Sequence, residues 1–294
     1  MSKIIILTDS NSGISQELAK EWGISVLPMP FSVDGNEFLD GIEMSHAEFF
    51  EYLAKDADVK TSQPSRYSIE ERWDELLKEY DEILYVPTSS GLSKTCENAI
   101  VYAEDEKYNG KVYVVDNKRI SVTLKQCITE AIELVKAGKT CQEIKNYLES
   151  TGKKNSIYIT VNMLKYLKKG GRISPAAATL GSMLNVKPIL LSTGDSFDKI
   201  GMAMSMGQAK KKMISLVKAQ AETTYKEEYE QGKFVVMVGH ANVEKEALKF
   251  KEEVEKAIPN VKVKFVDIVA LSVVCHIGPG ALALAFSVDD SKNV

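Results

Sequence analysis

The sequence predicts an α/β protein with two α/β domains, the first of them built on a mainly parallel sheet. Short apolar runs such as "KIIILT" (3–8) alternate with amphipathic helical segments through the first half of the chain. Three of these runs lead directly into loops rich in Ser, Thr, Asn or Gly, namely "TDSNSG", "PTSSGLS" and "DNKRIS". The texture changes around "TGKKN" (151–155). We therefore place a domain boundary there and predict domains of residues 1–155 and 156–294.

The first half contains the alternation of strands and helices that a parallel sheet requires. The predicted strands are "KIIILT", "ISVLPMPF", "EILYVPT" and "KVYVVD". Pro28 and Pro30 indicate that the second of them lies at an edge. Helices are predicted at 17–22, 45–56, 68–80, 93–106, 120–137 and 141–150, and Ser45 with Glu48 forms a capping box. The three polar loops should meet at the carboxyl edge of the sheet, where ligands of such folds bind.

The second half has longer helices and different apolar runs. Predicted strands are "SIYITV", "VKPILLS", "KFVVMVGH" and "VKVKFVDI", and the chain closes with "VVCHIGPGALALAF". A long helix is predicted from Ser205 to about Gln231 and another over Val243–Ala257. The sequence as a whole contains no low-complexity tract and no repeat at solenoid periods.

Composition narrows the class of protein. Of the 294 residues, 27% are charged and 44% are hydrophobic, and the net charge is −4 at pH 7, which disfavours nucleic-acid binding. Neither a signal peptide nor an apolar run of the ~20 residues of a membrane span is recognisable, so a cytoplasmic protein without stable membrane insertion is expected. The four cysteines form no C-x-x-C pair, so no metal site is predicted, and Cys96 and Cys127 fall on apolar helical stripes.

The segment "SSGLSKT" (89–95) resembles two known phosphate or nucleophile loops and matches neither. A P-loop needs glycine where Ser93 and Thr88 stand, and a nucleophile elbow needs glycine where Thr95 stands. What remains is a glycine-containing loop that places hydroxyls and free N–H groups at the start of a helix. It can bind an anion there, or Ser93 can simply cap the helix.

The segment "TSQPS" (61–65) has the same character, because Thr61 and Ser62 offer hydroxyls just before a helix. On its own it is more typical of a helix cap than of a ligand site.

Three histidines and one arginine complete the set of candidates. His46, in the first turn of a charged helix, is expected to be exposed, and His240 ends a strand. His276 lies in the apolar "CHIGPGA", where a buried structural histidine is the commoner case. Arg172 lies in the glycine-rich "KKGGRIS" and is followed by the small-residue segment "SPAAATLGSML", which also suits helix packing.

These segments occur together and in a fixed order: "TDSNSG", "TSQPS", "SSGLSKT", "VVDNKRIS", "GGRIS" with "NVKPIL", and "HIGPGALAL". The combination strongly resembles the DegV family, nearly from end to end. Fatty-acid-binding members of that family include the FakB subunits of bacterial fatty acid kinase. The resemblance implies two α/β domains that enclose one long-chain fatty acid, such as palmitate, between them, with no cofactor and no catalytic residue.

The resemblance also implies roles for particular residues. The carboxylate of the fatty acid would be bound by Thr61, Ser93 and His276, with Ser62, Ser90 and Gly91 as the supporting loops. Arg172 would face a separate ATP-binding subunit of fatty acid kinase, to which the acyl carboxylate is presented. The chain departs from the family at Lys94, at 117–119 and in the methionine-rich "KIGMAMSMG", and these departures concern the kinase partner more than the lipid site.

Two other functions are compatible with the residues. Ser93, Asp267 and His276 occur in the chain order of α/β-hydrolase triads, so a serine hydrolase or esterase is the main alternative. A partner or regulator of phosphoryl transfer that binds another anion, such as a phosphorylated small molecule, is the third hypothesis.

Overall fold

A computed structural model describes residues 2–178 and 186–291. Its strands are β1 (Ile4–Asp9), β2 (Ser25–Leu27), β3 (Pro30–Val33), β4 (Asn36–Leu39), β5 (Val59–Thr61), β6 (Glu82–Val86), β7 (Val112–Val114), β8 (Asn155–Thr160), β9 (Lys187–Ser192), β10 (Asp198–Ala203), β11 (Phe234–His240), β12 (Val263–Ile268) and β13 (Leu282–Val288). Its helices are α1 (Gln16–Trp22), α2 (His46–Ala54), α3 (Arg66–Leu76), α4 (Thr95–Ala103), α5 (Ser121–Lys136), α6 (Cys141–Ser150), α7 (Lys165–Gly170), α8 (Pro175–Ala178), α9 (Met206–Glu222), α10 (Lys226–Glu230), α11 (Glu244–Ala257) and α12 (Leu271–Ile277).

The N-terminal half is organised by a fully parallel sheet in the order β2-β1-β6-β7. Ile6 and Leu84 on one face pack with α5 and α6, whereas Leu7 and Tyr85 on the other face pack with α3 and α4. Because helices cover both faces, β1 and β6 are apolar at consecutive positions rather than at alternate ones. The predicted α/β class with a parallel N-terminal sheet is confirmed.

The C-terminal half forms a six-stranded sheet in the order β10-β9-β8-β13-β11-β12. Only the β11–β12 pair is parallel in this sheet; the other neighbours are antiparallel. Helices α9 and α11 cover one face through an apolar cluster that includes Met213, Phe250 and Phe286. The strands of this sheet start at Asn155, and the domain bounds 1–155 and 156–294 stay a prediction.

A small antiparallel sheet, β4-β3-β5, lies over the other face of the six-stranded sheet. Phe31 and Phe49 from this small sheet and α2 share an apolar cluster with Ile157 of β8 and Val274 of α12. The predicted strand "ISVLPMPF" is in fact two strands. The edge prediction holds for β2 and is wrong for β3, which is central in the small sheet and tolerates Pro30 as its first residue.

Several predicted bounds need correction. The long helix expected from Ser205 to Gln231 ends at Glu222, where Thr223 leaves helical geometry, and α10 follows separately. The helix expected at 93–106 is shorter, at Thr95–Ala103. His46 is half-buried rather than exposed, because its Nε2 lies 3.0 Å from the carbonyl oxygen of Val269. All four cysteines are buried, as predicted for Cys96 and Cys127.

Helix α5 connects the two large sheets. Gln126 donates to Asp289 beyond β13 (3.0 Å), and Lys125 pairs with Asp267 of β12 (2.7 Å). At the start of α5, Arg119 forms a wholly buried ion pair with Glu130 at 2.8 Å. Charged groups tolerate this burial because each finds a partner. The helix thereby fixes the carboxyl edge of the parallel sheet against the C-terminal sheet.

Candidate functional site

The loops after β1 and β6 meet at the carboxyl edge of the parallel sheet, as the sequence predicts. The Asp9 carboxylate at the end of β1 accepts hydrogen bonds from the backbone N–H (2.7 Å) and the hydroxyl (2.9 Å) of Thr88. Burial raises the pKa of Asp9 to about 6, and these hydrogen bonds oppose the rise. The loop after β7 also contributes, since Asp116 accepts from the backbone and hydroxyl of Ser90. The "SSGLSKT" loop is therefore fixed at its base.

Thr61 and His276 come together although 215 residues separate them. Thr61 ends β5, His276 lies in α12, and Thr61 Oγ1 is 2.8 Å from His276 Nε2. Burial, with a smaller contribution from the positive charge of Arg172, lowers the pKa of His276 to about 4. The imidazole is therefore neutral at pH 7 and keeps one N–H that can donate to an acceptor.

Gly170 of the "GGR" segment permits this position of the imidazole. A Cβ added at Gly170 would lie 2.0 Å from His276 Nδ1 and 2.9 Å from Cε1. A ring atom at such distances must move. His276 Nδ1 is buried and has no hydrogen-bond partner among the described residues.

A cavity of about 290 Å³ opens beside the Thr61–His276 pair. One part of its wall is polar and another part is apolar. The polar part consists of Asn11, Thr61, Ser62, Gln63, Thr88, Ser93, Lys94, Arg172, Ser272 and His276. The apolar part consists of Met29, Leu92, Ile120, Phe197, Val273 and Ile277. Small-molecule sites combine an apolar wall with convergent polar groups, and this cavity has both, with more polar than apolar wall residues.

The structure brings the predicted carboxylate ligands together. Thr61, Ser93 and His276 all line the cavity, and so does Ser62 of the supporting loops. Ser90 and Gly91 lie outside the wall. Ser90 bonds Asp116, as described above, and a Cβ at Gly91 would lie 2.5 Å from the carbonyl oxygen of residue 194, so this glycine allows two loops to touch.

Arg172 also lies in the cavity wall. It is half-buried, and its Nε donates to the carbonyl oxygen of Leu92 at 3.0 Å while Nη1 donates to that of Gly170. Burial lowers the pKa of the guanidinium. Arg172, the residue predicted to face a partner, therefore also holds the "GGR" segment against the "SSGLSKT" loop. The small-residue segment that follows runs into 179–185, which are outside the described residues, as is Asn185 of "NVKPIL".

The hydrogen bonds do not assemble the hydrolase triad. Asp267 is paired with Lys125, His276 with Thr61, and Ser93 Oγ lies 2.9 Å from Thr95 Oγ1. A general-base histidine must be oriented by its carboxylate and must reach the nucleophile. These three side chains are engaged elsewhere, so the geometry does not support the serine hydrolase.

Sequence reasoning missed several side chains of the wall. Asn11, Thr88 and Ser272 are polar wall residues without a role in the sequence analysis, although "TDSNSG" drew attention to the loop that holds Asn11. Lys94 was noted only as a departure from the family. Nothing in the local pattern distinguishes Ser272 from any other serine in the first turn of an apolar helix.

Two kinds of feature are absent from residues 2–178 and 186–291. In those ranges, no helix combines the length and the hydropathy needed to cross a bilayer. The same residues contain no group of three or more His, Cys, Asp or Glu side chains arranged to hold a metal ion.

Comparison with known proteins gives consistent matches along the chain. A family model described as "Uncharacterised protein, DegV family" matches residues 3–289. A DegV domain-containing protein of Staphylococcus aureus is 30% identical over 284 residues, covering 97% of this chain and 98% of that one. The structure of a DegV family protein from Thermus thermophilus, described as binding fatty acid, superposes with a TM-score of 0.86 at 27% identity, covering 97% and 99% of the two chains. The structure of DegV from Bacillus subtilis, described as a fatty acid binding protein, gives a TM-score of 0.84 at 27% identity, covering 98% and 100%. This protein belongs to the DegV family.

Proposed function

We propose that this protein binds one long-chain fatty acid, such as palmitate, between its two α/β halves and carries it with the carboxylate at Thr61, Ser93 and His276. The observation that supports this most directly is the cavity, where these three donors face the same space as an apolar wall. The relatives from Thermus thermophilus and Bacillus subtilis, both described as fatty acid binding, support the class of ligand.

The donors suit a carboxylate. A carboxylate only accepts hydrogen bonds, and burying it is costly unless its oxygens are bonded. Two hydroxyls and a neutral imidazole N–H supply such donors. Thr61 and His276 bond each other, so a carboxylate bound there would replace or share that 2.8 Å contact. Arg172 adds a half-buried positive charge in the same wall.

The apolar wall supplies the larger part of the binding free energy. Palmitate has about 14 methylenes, each worth ~0.8 kcal/mol when it leaves water, or about 11 kcal/mol in total. Part of this gain is offset by the lost freedom of the chain. A micromolar dissociation constant requires only about −8 kcal/mol, so the gain suffices for tight binding.

The polar side of the cavity supports presentation of the carboxylate to a partner. Ser62, Gln63 and Lys94 line the cavity and are exposed, so the bound carboxylate would lie close to solvent. We assign the partner as a separate ATP-dependent fatty acid kinase subunit, which would receive the carboxylate at this exposed side of the cavity. In this function the protein is a cytoplasmic carrier and not itself an enzyme.

The first test is to denature the purified protein, extract it with organic solvent and identify lipids by mass spectrometry. A near-stoichiometric long-chain fatty acid is expected. Replacing Thr61 and Ser93 together with alanine should weaken palmitate binding by about tenfold or more, because a bound carboxylate loses two donors. The matched control replaces the exposed hydroxyls of Ser150 and Thr223, which lie outside the cavity wall. Unchanged affinity in the Thr61/Ser93 variant would overturn the site.

The partner has its own test. The palmitate-loaded protein is mixed with an ATP-binding fatty acid kinase subunit and ATP, and acyl phosphate is trapped with hydroxylamine. Hydroxamate should form only when both proteins are present. Its absence would remove the kinase role and leave the carrier role, which the extraction decides.

A further inference from the structure

Five buried polar side chains form a continuous hydrogen-bonded chain beneath the cavity. They are Asp9, Thr88, Asn11, Ser272 and Asp40, in that order, and we name them the Asn11 chain. None of them is more than 7% exposed. Buried polar groups at this depth contribute stability only when they are bonded to each other or to water.

The contacts along the Asn11 chain are short. Thr88 donates to Asp9 (2.9 Å), and Asn11 Nδ2 donates to Thr88 Oγ1 (2.9 Å). Ser272 Oγ lies 2.6 Å from Asn11 Oδ1 and 2.6 Å from Asp40 Oδ2, and its single hydroxyl hydrogen is shared between these two acceptors. The Asn11 amide therefore has one partner on each side, and these partners fix which way its oxygen and nitrogen face.

The two neighbours of Asn11 lie in the two segments that carry proposed fatty-acid ligands. Thr88 is in the loop that leads to Ser93, and Ser272 lies one helical turn before His276 in α12. The Asp40 carboxylate also accepts from the backbone N–H groups of Leu271 and Ser272 at the start of α12. The first helical turn is thus held from two directions.

These contacts, and not the local backbone, set the distance between Ser93 and His276. Ser93 belongs to the parallel-sheet half and His276 to the C-terminal half, so their spacing depends on contacts between the halves. The Asn11 chain crosses between the halves, and three of its members, Asn11, Thr88 and Ser272, line the cavity themselves.

We infer that Asn11, with Thr88 and Ser272, is a positioning residue that holds the Ser93 loop and the His276 helix at the separation a carboxylate needs. This role rests on the proposed fatty-acid function. A carboxylate binds both donors only when they lie within hydrogen-bonding reach of its two oxygens, so a small relative shift of the loop and helix weakens binding.

The experiment compares isosteric or near-isosteric variants inside and outside the Asn11 chain. Thr88→Val and Ser272→Ala interrupt it on either side of Asn11. Thr160→Val and Ser287→Ala are matched controls, because these hydroxyls are fully buried yet have no hydrogen-bond partner among the described residues. Palmitate affinity is measured by displacement of a fluorescent fatty acid. Interruption should weaken it by about tenfold, whereas the controls should stay within about twofold of the wild type.

A second readout separates positioning from general stability. The ring ¹⁵N chemical shifts of His276 are recorded in ligand-free protein, where they report its hydrogen bond with Thr61. Ser272→Ala should move them, and Ser287→Ala should not. Thr88→Ser keeps the hydroxyl and should restore the palmitate affinity that Thr88→Val loses.

The outcomes are distinct. Variants Thr88→Val and Ser272→Ala that fold, bind palmitate like the wild type and leave the His276 shifts unchanged would overturn the positioning role. If Ser272→Ala does not fold, the comparison of Thr88→Val with Thr88→Ser decides. Wild-type protein that binds no palmitate would overturn the proposed function instead, and the ring shifts would then decide the positioning role alone.

Discussion

The Arg119–Glu130 pair and the Thr61–His276 pair are two polar contacts in the interior. The first pair is charged and the second is neutral. Arg119 and Glu130 are completely buried as an ion pair, each charge compensated by the other. Although burial acts to lower the pKa of Arg119, the charge of Glu130 keeps it above its usual value. His276 is held neutral by burial beside a hydroxyl.

The two pairs also differ in what lies beside them. In the ion pair, Gln126 also donates to Glu130, and Arg119 reaches Thr151, whereas Arg119 Nε and Glu130 Oε2 have no hydrogen-bond partner among the described residues. The Thr61–His276 pair instead lines the cavity. The wall of that cavity also carries the half-buried positive charge of Arg172, which the proposed carboxylate would complement.

The largest effect is expected from breaking the compensated pair. Glu130→Gln keeps the shape of the side chain but leaves the Arg119 charge buried without its counterion. We expect the free energy of unfolding to fall by about 3–5 kcal/mol in urea denaturation. The control, Glu230→Gln, removes one partner of the exposed Lys226–Glu230 pair and should change stability by less than about 1 kcal/mol. Similar values for the two variants would contradict the assigned difference.

The neutral histidine predicts a dependence of stability on pH. The pKa of His276 is about 4 in the folded protein against 6.5 ordinarily, so between these values the unfolded chain binds a proton that the folded chain does not. The free energy of unfolding therefore falls as the pH drops from about 6.5 to about 4, by up to roughly 3 kcal/mol from this residue.

Asp9 acts in the opposite direction. Its pKa is raised from 3.8 to about 6, so between these values the folded chain holds a proton that the unfolded chain has lost. The contribution of His276 must therefore be isolated as the difference between wild type and His276→Gln, measured by urea denaturation from pH 4 to 7. A difference that does not vary with pH would show that His276 is not held neutral.

A smaller effect on stability is expected at Gly170. Gly170→Ala places a methyl group 2.0 Å from His276 Nδ1, so the imidazole or the backbone of α7 must shift. We expect a loss of about 1–3 kcal/mol in stability and a clear loss of palmitate affinity. Gly207→Ala is the control, since an added Cβ in α9 meets nothing closer than 4.0 Å. If Gly170→Ala binds palmitate normally, the imidazole position is not required.

The smallest effect on the ligand is expected at Asp267. Asp267→Asn removes the partner of Lys125, which is nearly buried, and should lower stability by about 1 kcal/mol. Palmitate affinity should stay unchanged, because Asp267 does not line the cavity. A large loss of palmitate affinity would contradict this expectation. An esterase activity that Asp267→Asn abolishes would support the Ser93, Asp267 and His276 triad that the hydrogen bonds do not show.

The sequence by itself determined much of the fold. The apolar runs of β1 and β6 and the polar loops after them require a parallel sheet with both faces covered, because only burial on both faces makes consecutive apolar positions favourable. The ordered motifs identified the family and selected Thr61, Ser93 and His276, which share one cavity. The prolines led to a wrong edge prediction for β3. Pro30 is the first residue of that strand, and a strand tolerates proline at its start but not in its middle.

Only the tertiary structure decided what those residues can do. The contact of Thr61 with His276 joins positions 215 residues apart, and the low pKa of His276 arises from its burial in the folded protein and from the nearby charge of Arg172. The same is true of Asn11, whose two partners come from a distant loop and from α12. Local sequence sets helix and strand preferences over a few residues, whereas distance, burial and electric field are properties of side chains that meet only after folding.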